Sequence, residues 1–201
     1  MGLFGTAMRA MTYDAAGNKK AAVPALKYND TQLSWFRADD GVMGGQSVTS
    51  HDVDEEGVLH FKGILNTDGG GFASIRAPIE AGTIKADTKG IKITYRGDGK
   101  TFRFTLADRE KAGGPFSSAP IWKYDIVTEK VEGEEWQEVV IEFDAFEPTF
   151  GGKNEKEKTA GFMLNHTELL EIGFMLSMRK DEGFDGEYPF EFNIKSIESV
   201  S

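Results

Sequence analysis

The chain has 201 residues, 23 Lys and Arg against 33 Asp and Glu, a formal charge of −10 and no cysteine. That balance excludes broad nucleic-acid contact, which needs Lys and Arg to neutralise phosphates; the lack of cysteine excludes disulfide staples, thiolate metal sites and thiol nucleophiles. No run of about 18 apolar residues occurs, so no membrane-spanning helix is expected and any membrane contact would be peripheral.

The start, "MGLFGTAMRAMTYDAAGNKK", lacks the long apolar core of a secretory signal. Leu3, Phe4, Ala7, Met8 and Met11 fall at helical spacing. Residues 1–32 therefore read as an N-terminal arm, helical at its start, with Pro24 as its last breaker. "MGLFGT" also fits the loose N-myristoylation pattern. Asn29-Asp30-Thr31 and Asn165-His166-Thr167 are glycosylation sequons only in a secreted chain.

The next stretch, "WFRADDGVMGGQSVTS" from Trp35 to Ser50, admits three readings. A phosphate cradle would need a strand, glycines and a helix with Lys-Ser/Thr, but Gln46-Ser47-Val48-Thr49 follows as a strand start. A calcium loop would need alternating oxygen ligands, yet Val42 and Met43 stand where ligands belong. A cation site joining Asp39 or Asp40 to distant residues stays open. The third reading makes Asp40 the cap of a turn, with Gly41, Gly44 and Gly45 in conformations closed to other residues.

From about Leu33 on, period-two alternation dominates. It predicts strands with Leu59, Phe61 and Leu65 on one face, then Ile91, Ile93 and Tyr95, then Phe102, Phe104 and Leu106. Val139, Ile141 and Phe143 follow, then Leu170, Ile172, Phe174 and Leu176, and last Phe190, Phe192 and Ile194. "FASIRAP" and "PIWKYDIV" read as two further strands. Gly-rich turns separate the runs, and Gly97-Asp98-Gly99 predicts a hairpin in "YRGDGKTFRF". With no βαβ rhythm, the expectation is an all-β antiparallel sandwich of jelly-roll type, one domain over residues 33–201. Outside the arm, the charged turn Glu155 to Ala160 is the remaining helical candidate.

Binding candidates come from polar residues on strand faces. "LNTDGGGFASIR" concentrates Asn66, Asp68 and Arg76 around three glycines. Arg76, Arg96 and Arg103 each sit opposite apolar neighbours; on one concave face they would suit carboxylate, phosphate or sugar-hydroxyl recognition. Trp35, Trp122, Tyr124 and Trp136 could stack on sugar rings or fill the core. No catalytic set emerges: His51, His60 and His166 lack metal-pair or nucleophile–base spacing, and no G-x-S-x-G occurs. No metal site or cofactor is expected.

Ordered blocks resemble the complex I intermediate-associated protein 30 family. "WFRADDGVMGGQS", "FKGILNTDGGGFASIR", "YRGDGKTFRFTL" and "WQEVVIEFDAFEPTFGG" match its successive blocks, and "IGFMLS" and "GEYPFEFNIKSI" its closing strands. One departure is Phe150-Gly151-Gly152 where the family commonly has Arg-Gly. The resemblance implies a galactose-binding-domain-like jelly roll and a non-catalytic assembly factor or accessory subunit. Its partners would be protein subunits of a membrane energy-converting complex, respiratory complex I or a photosynthetic complex. It also implies an organellar location, mitochondrial matrix or plastid, with the cytoplasm as the alternative. Competing expectations are a carbohydrate-binding jelly-roll module with a small sugar-like ligand, and a lyase or hydrolase on the same scaffold.

Overall fold

The structure is a computed structural model and describes residues 12–13, 19–20, 27–29, 31–109, 119–130, 133, 135–150 and 161–201. Its strands are β1 (Thr12–Tyr13), β2 (Lys19–Lys20), β3 (Lys27–Tyr28), β4 (Thr31–Gln32), β5 (Phe36–Arg37), β6 (Val48–Val53), β7 (Leu59–Asn66) and β8 (Phe72–Pro78). They continue with β9 (Gly90–Arg96), β10 (Thr101–Ala107), β11 (Ile121–Val127), β12 (Gln137–Glu142), β13 (Glu147–Thr149), β14 (Glu171–Ser177) and β15 (Glu187–Val200). Among the described residues there is no α-helix. The helical start of the arm and the turn from Glu155 to Ala160 fall outside the described residues.

Two sheets face each other across one core. The six-stranded sheet runs β13-β11-β10-β14-β8-β5. The seven-stranded sheet runs β12-β9-β15-β3-β4, with β7 beside β15 and β6 beside β7. Its spine is the 14-residue β15. The first half of β15 pairs with β7 and the second with β9, and a register shift between Ile194 and Ser196 marks the handover. Tyr28 of β3 pairs in parallel with Ile197 and is 2% exposed, so residues expected in the arm join the sheet.

The alternation predicted the core. Phe61, Phe102, Phe104, Phe174 and Phe192 are fully buried. Across the sheets the Phe102 and Phe192 rings stack at 4.4 Å, and Phe174 meets Phe192 edge-on at 5.5 Å. Burying a side chain of this size contributes about 1.5–3 kcal/mol, so these contacts are what hold the layers together.

The expected hairpin at Gly97–Gly99 is instead a crossover between sheets. β9 lies between β12 and β15, whereas β10 lies between β11 and β14. Gly99 has φ +92°, and a Cβ on Gly97 would fall 2.3 Å from Thr128 Cβ. Gly-Asp-Gly marks a tight reversal, but two half-buried strands carry the same alternation whichever sheet they join. The consequence is large for function: Arg96 and Arg103 point out of opposite sides of the sandwich.

Candidate functional site

Two loops meet at one end of the sandwich around Asp40, which has no exposed surface. Its Oδ2 accepts the backbone N–H of Gly71 at 2.8 Å and of Phe72 at 3.3 Å, and the Ser47 hydroxyl at 2.7 Å. Its Oδ1 accepts the Ser47 N–H at 3.2 Å. Asp39 does similar work one residue earlier: Oδ1 accepts the Ser74 N–H, and Oδ2 takes the Thr49 hydroxyl and the Arg37 guanidinium.

The opening block and "GGGFASIR" therefore pack side by side. The carboxylates, however, bind the backbone of residues 71–74, while Arg76 pairs with Glu171 at 3.5 Å. Asp40 is also not a cap. It begins a 3-10 turn, Asp40–Met43, whose N-cap Asp39 makes no side-chain cap bond. Only Gly44 of the three predicted glycines needs a left-handed conformation, at φ +86°. Gly45 is there for room: a Cβ on it would fall 2.3 Å from Asp40 Cγ, and one on Gly70 would fall 2.3 Å from Oδ2.

Hydrogen-bond donors, all neutral, surround this buried carboxylate, so the stretch works as a junction between loops. A cation site would need more oxygens there, and among the described residues no group of three or more His, Asp or Glu could hold a metal. Asn66 completes the junction, accepting the Asp68 N–H on Oδ1 at 2.8 Å while its own N–H donates to Ser47 Oγ. Asp68 lies on the surface of the same end, paired with Lys180 at 2.5 Å.

Three of the four aromatic candidates go inward; Trp136 instead lies under Arg96. Trp122 is 3% exposed and donates its indole N–H to Asp108 at 3.1 Å. Trp35 stacks on Phe174 at 5.7 Å, and Tyr124 packs against the core near Phe146. Two of the three arginines share a face. Arg76 and Arg103 project outward from the six-stranded sheet, whereas Arg96 projects from the seven-stranded one, its guanidinium carbon 4.0 Å from the Trp136 ring centroid.

The outward face of the six-stranded sheet brings together residues that sequence reasoning left out. Cross-strand pairing sets Lys123, Thr105, Gly173, Arg76 and Phe36 in one row over five strands. The adjacent row holds Asp125, Arg103, Met175 and Ser74. Lys123 donates to Asp125 at 2.8 Å, and Arg103 Nε donates to the same carboxylate at 3.2 Å. "PIWKYDIV" reads as a strand, but with no face assigned to Lys123 and Asp125, and which strands lie beside them is long-range information that periodicity lacks.

Another depression, about 260 Å³, lies where β3 meets the β15 bulge, lined by Lys27, Asn29, Glu56, Lys195 and Glu198. None of the predicted binding residues lines it. The histidines are used structurally: His51 bonds the Trp35 carbonyl, His166 stacks on Phe143 at 4.5 Å, and His60 bridges Asp54 and Asn193.

Two facing sheets, a jelly-roll-like core and loops latched at one end define a β-sandwich of the kind found in carbohydrate-binding modules. A Family 11 carbohydrate-binding module from Clostridium thermocellum, solved with a β-1,3-1,4-mixed-linked tetrasaccharide, is similar at TM-score 0.55 and 15% identity, covering 84% of this chain and 88% of that one. The Family 11 module of the cellulosomal cellulase Lic26A-Cel5E of the same organism is similar at TM-score 0.51 and 13% identity, with 84% and 89% covered. At such identities the likeness shows the fold alone. No curated protein matches the chain. Residues 25–194 match the family described as Complex I intermediate-associated protein 30 (CIA30), and the chain belongs to that family. Membership implies a role related to complex I assembly. Among the described residues no helix is long and apolar enough to cross a membrane.

Proposed function

We propose that the chain is a non-catalytic assembly factor or accessory subunit that binds protein subunits of a membrane energy-converting complex. The observation that carries this reading is the family match over residues 25–194. On it, the protein acts inside an organelle, mitochondrial matrix or plastid, and meets the membrane complex peripherally.

The surface supports a partner-binding role in one place above others. Val48 is 66% exposed and lies directly across from Ile64, 43% exposed, which in turn faces the exposed Pro189. An apolar strip over three adjacent strands is the sort of surface that a protein partner covers. Cross-linking and affinity purification from the native host should recover subunits of a respiratory or photosynthetic complex. Recovery of soluble metabolic enzymes alone would overturn the reading. Replacing Val48 and Ile64 together by Glu should abolish that recovery without unfolding the sandwich, because both side chains already face solvent.

A further inference from the structure

We propose that the outward face of the six-stranded sheet is a binding trough for a neutral, hydroxyl-rich ligand, a short oligosaccharide, lying across the strands from Lys123 to Phe36. Three observations carry it. First, the long cations of the face are largely covered: the side chains of Lys123, Arg103 and Arg76 are only 16%, 20% and 25% exposed although they point away from the core. Long cations on an outward sheet face are normally far more open to water.

Second, the middle of the trough is cut down to backbone. Gly173 lies between Thr105 and Arg76 in register, and a Cβ there would fall 2.8 Å from Thr105 Oγ1 and 2.9 Å from the Ile75 carbonyl. A strand-interior glycine weakens the strand; here it gives room to Thr105 Oγ1 and the Ile75 carbonyl, and it leaves no side chain standing between Thr105 and Arg76.

Third, the charges are interleaved and balanced. Arg103 and Lys123 share Asp125, Lys123 also reaches Glu147 at 3.6 Å, and Arg76 faces Glu171. Three cations against three carboxylates leave no net charge to attract an anion. A hydroxyl both donates and accepts, so it fits between a guanidinium and a carboxylate and satisfies both without unbalancing the pair. Among the described residues the two terminal nitrogens of Arg103 have no protein acceptor, which leaves a fork free for vicinal hydroxyls.

At the far end Phe36, 45% exposed and paired with Arg76, offers a ring face to the apolar side of a sugar. Four interstrand steps separate Lys123 from Phe36, about 19 Å at the usual strand spacing, enough for a short oligosaccharide. An extended peptide is the competing occupant, but extended peptides are recognised mainly by adding to a sheet edge, and this is a face.

The test is calorimetric titration of the full chain with neutral gluco-, manno- and agaro-oligosaccharides, alongside uronate and sulfated oligosaccharides and acidic and basic peptides. Amide NMR shifts locate the contact. The expected result is saturable binding of at least one neutral probe, with shifts centred on Arg76, Arg103 and Gly173. Arg103→Ala and Phe36→Ala should each weaken it about tenfold, while Arg96→Ala on the opposite side should leave it unchanged. Binding of charged probes or peptides only, silence with every neutral probe, or shifts elsewhere on the wild-type chain would overturn the proposal. The wild-type shift map decides even where a variant fails to fold. Loss of binding here leaves the recovery of partner subunits, and so the assembly reading, untouched.

Discussion

At the loop end, the Asp40 carboxylate has no exposed surface and is met by N–H and O–H donors from residues 47, 71 and 72. On the outward face of the six-stranded sheet, Arg103 keeps a fifth of its side chain in water and donates from Nε to one carboxylate. Both residues stand out in the sequence, one in a double aspartate among glycines and one opposite a run of phenylalanines. The first is satisfied entirely by its own chain; among the described residues, the second retains donors with no protein acceptor. Conspicuous residues can therefore mark folding as readily as binding, and the difference lies in whether the hydrogen-bonding capacity is already consumed.

The largest effect that would sharpen this contrast is on stability. Asp40→Ala strands the buried N–H groups of Gly71 and Phe72 and removes the link between two loops, and should cost about 3 kcal/mol or more. Urea denaturation should show a large fall in midpoint. A loss below about 1 kcal/mol would mean that the junction is not held by this carboxylate. Next in size is Gly45→Ala, whose new methyl group would meet the Asp40 carboxyl group at 2.3 Å; about 1–3 kcal/mol is expected for such overpacking. Gly41→Ala, with nothing within 4 Å of its Cβ and no positive φ, should be close to neutral. Equal losses for the two glycines would break the argument that Gly45 is there for room.

The layers of the fold were legible because alternation is a local signal: Phe102, Phe104, Phe174 and Phe192 announce their faces within a few residues. Pairing between distant strands was not. The crossover at Gly97–Gly99 was read as a hairpin because a positive-φ reversal looks the same whether the next strand joins the same sheet or the opposite one. That error put Arg96 beside Arg103 and missed Lys123, Thr105 and Gly173, which only the register of β10, β11 and β14 brings together. Trp35 and Trp122 carried a polar handle on a large apolar body, and the core took the body while Asp108 took one of the handles. Asp39 and Asp40 were conspicuous in the sequence, but nothing there showed that their carboxylates would be met by backbone N–H groups of residues 71, 72 and 74.

The two arginine faces make a smaller comparison. Arg96 lies over the Trp136 ring, with Lys195 5.3 Å from the same ring. A cation–π contact of this kind contributes about 0.5–1 kcal/mol at a surface site. Arg96→Ala should lower stability by that amount. Arg103→Ala, whose ion pair with Asp125 is partly exposed at 20% and 38% of the two side chains, should change the denaturation midpoint less. The reverse order, with Arg103 the more important for stability, would make its face a structural ion-pair network and not a trough kept for a ligand.

The smallest effect concerns pH and again contrasts satisfied with unsatisfied groups. Partial burial pulls the His60 pKa down, but hydrogen bonds to Asp54 and Asn193 and the charges of Asp54 and Asp52 outweigh it and hold the pKa above its ordinary value. Geometry gives the reason. Nε2 faces Asp54 Oδ2 at 3.0 Å and Nδ1 faces Asn193 Oδ1 at 2.7 Å, while the Asn193 amide donates to Glu191 and so keeps its oxygen toward the ring. Only the imidazolium donates to both oxygens. Because the folded pKa lies above that of the unfolded chain, about 6.5, the added stability is complete below that pH and is lost as pH rises through the folded value. Asp54 itself is lowered: burial acts to raise its pKa, but the bonds from His60, Val58 and Glu56 more than offset that. Its share is therefore lost only on acidification, well below the histidine window. Denaturation midpoints of the wild type and His60→Gln, measured from pH 5 to 9, should differ by a few tenths of a kcal/mol at the acidic end of that window and converge at the alkaline end. Parallel curves would show that the His60 bridge adds no proton-linked stability, and that this polar cluster, unlike the one around Asp40, is not consumed by its own contacts.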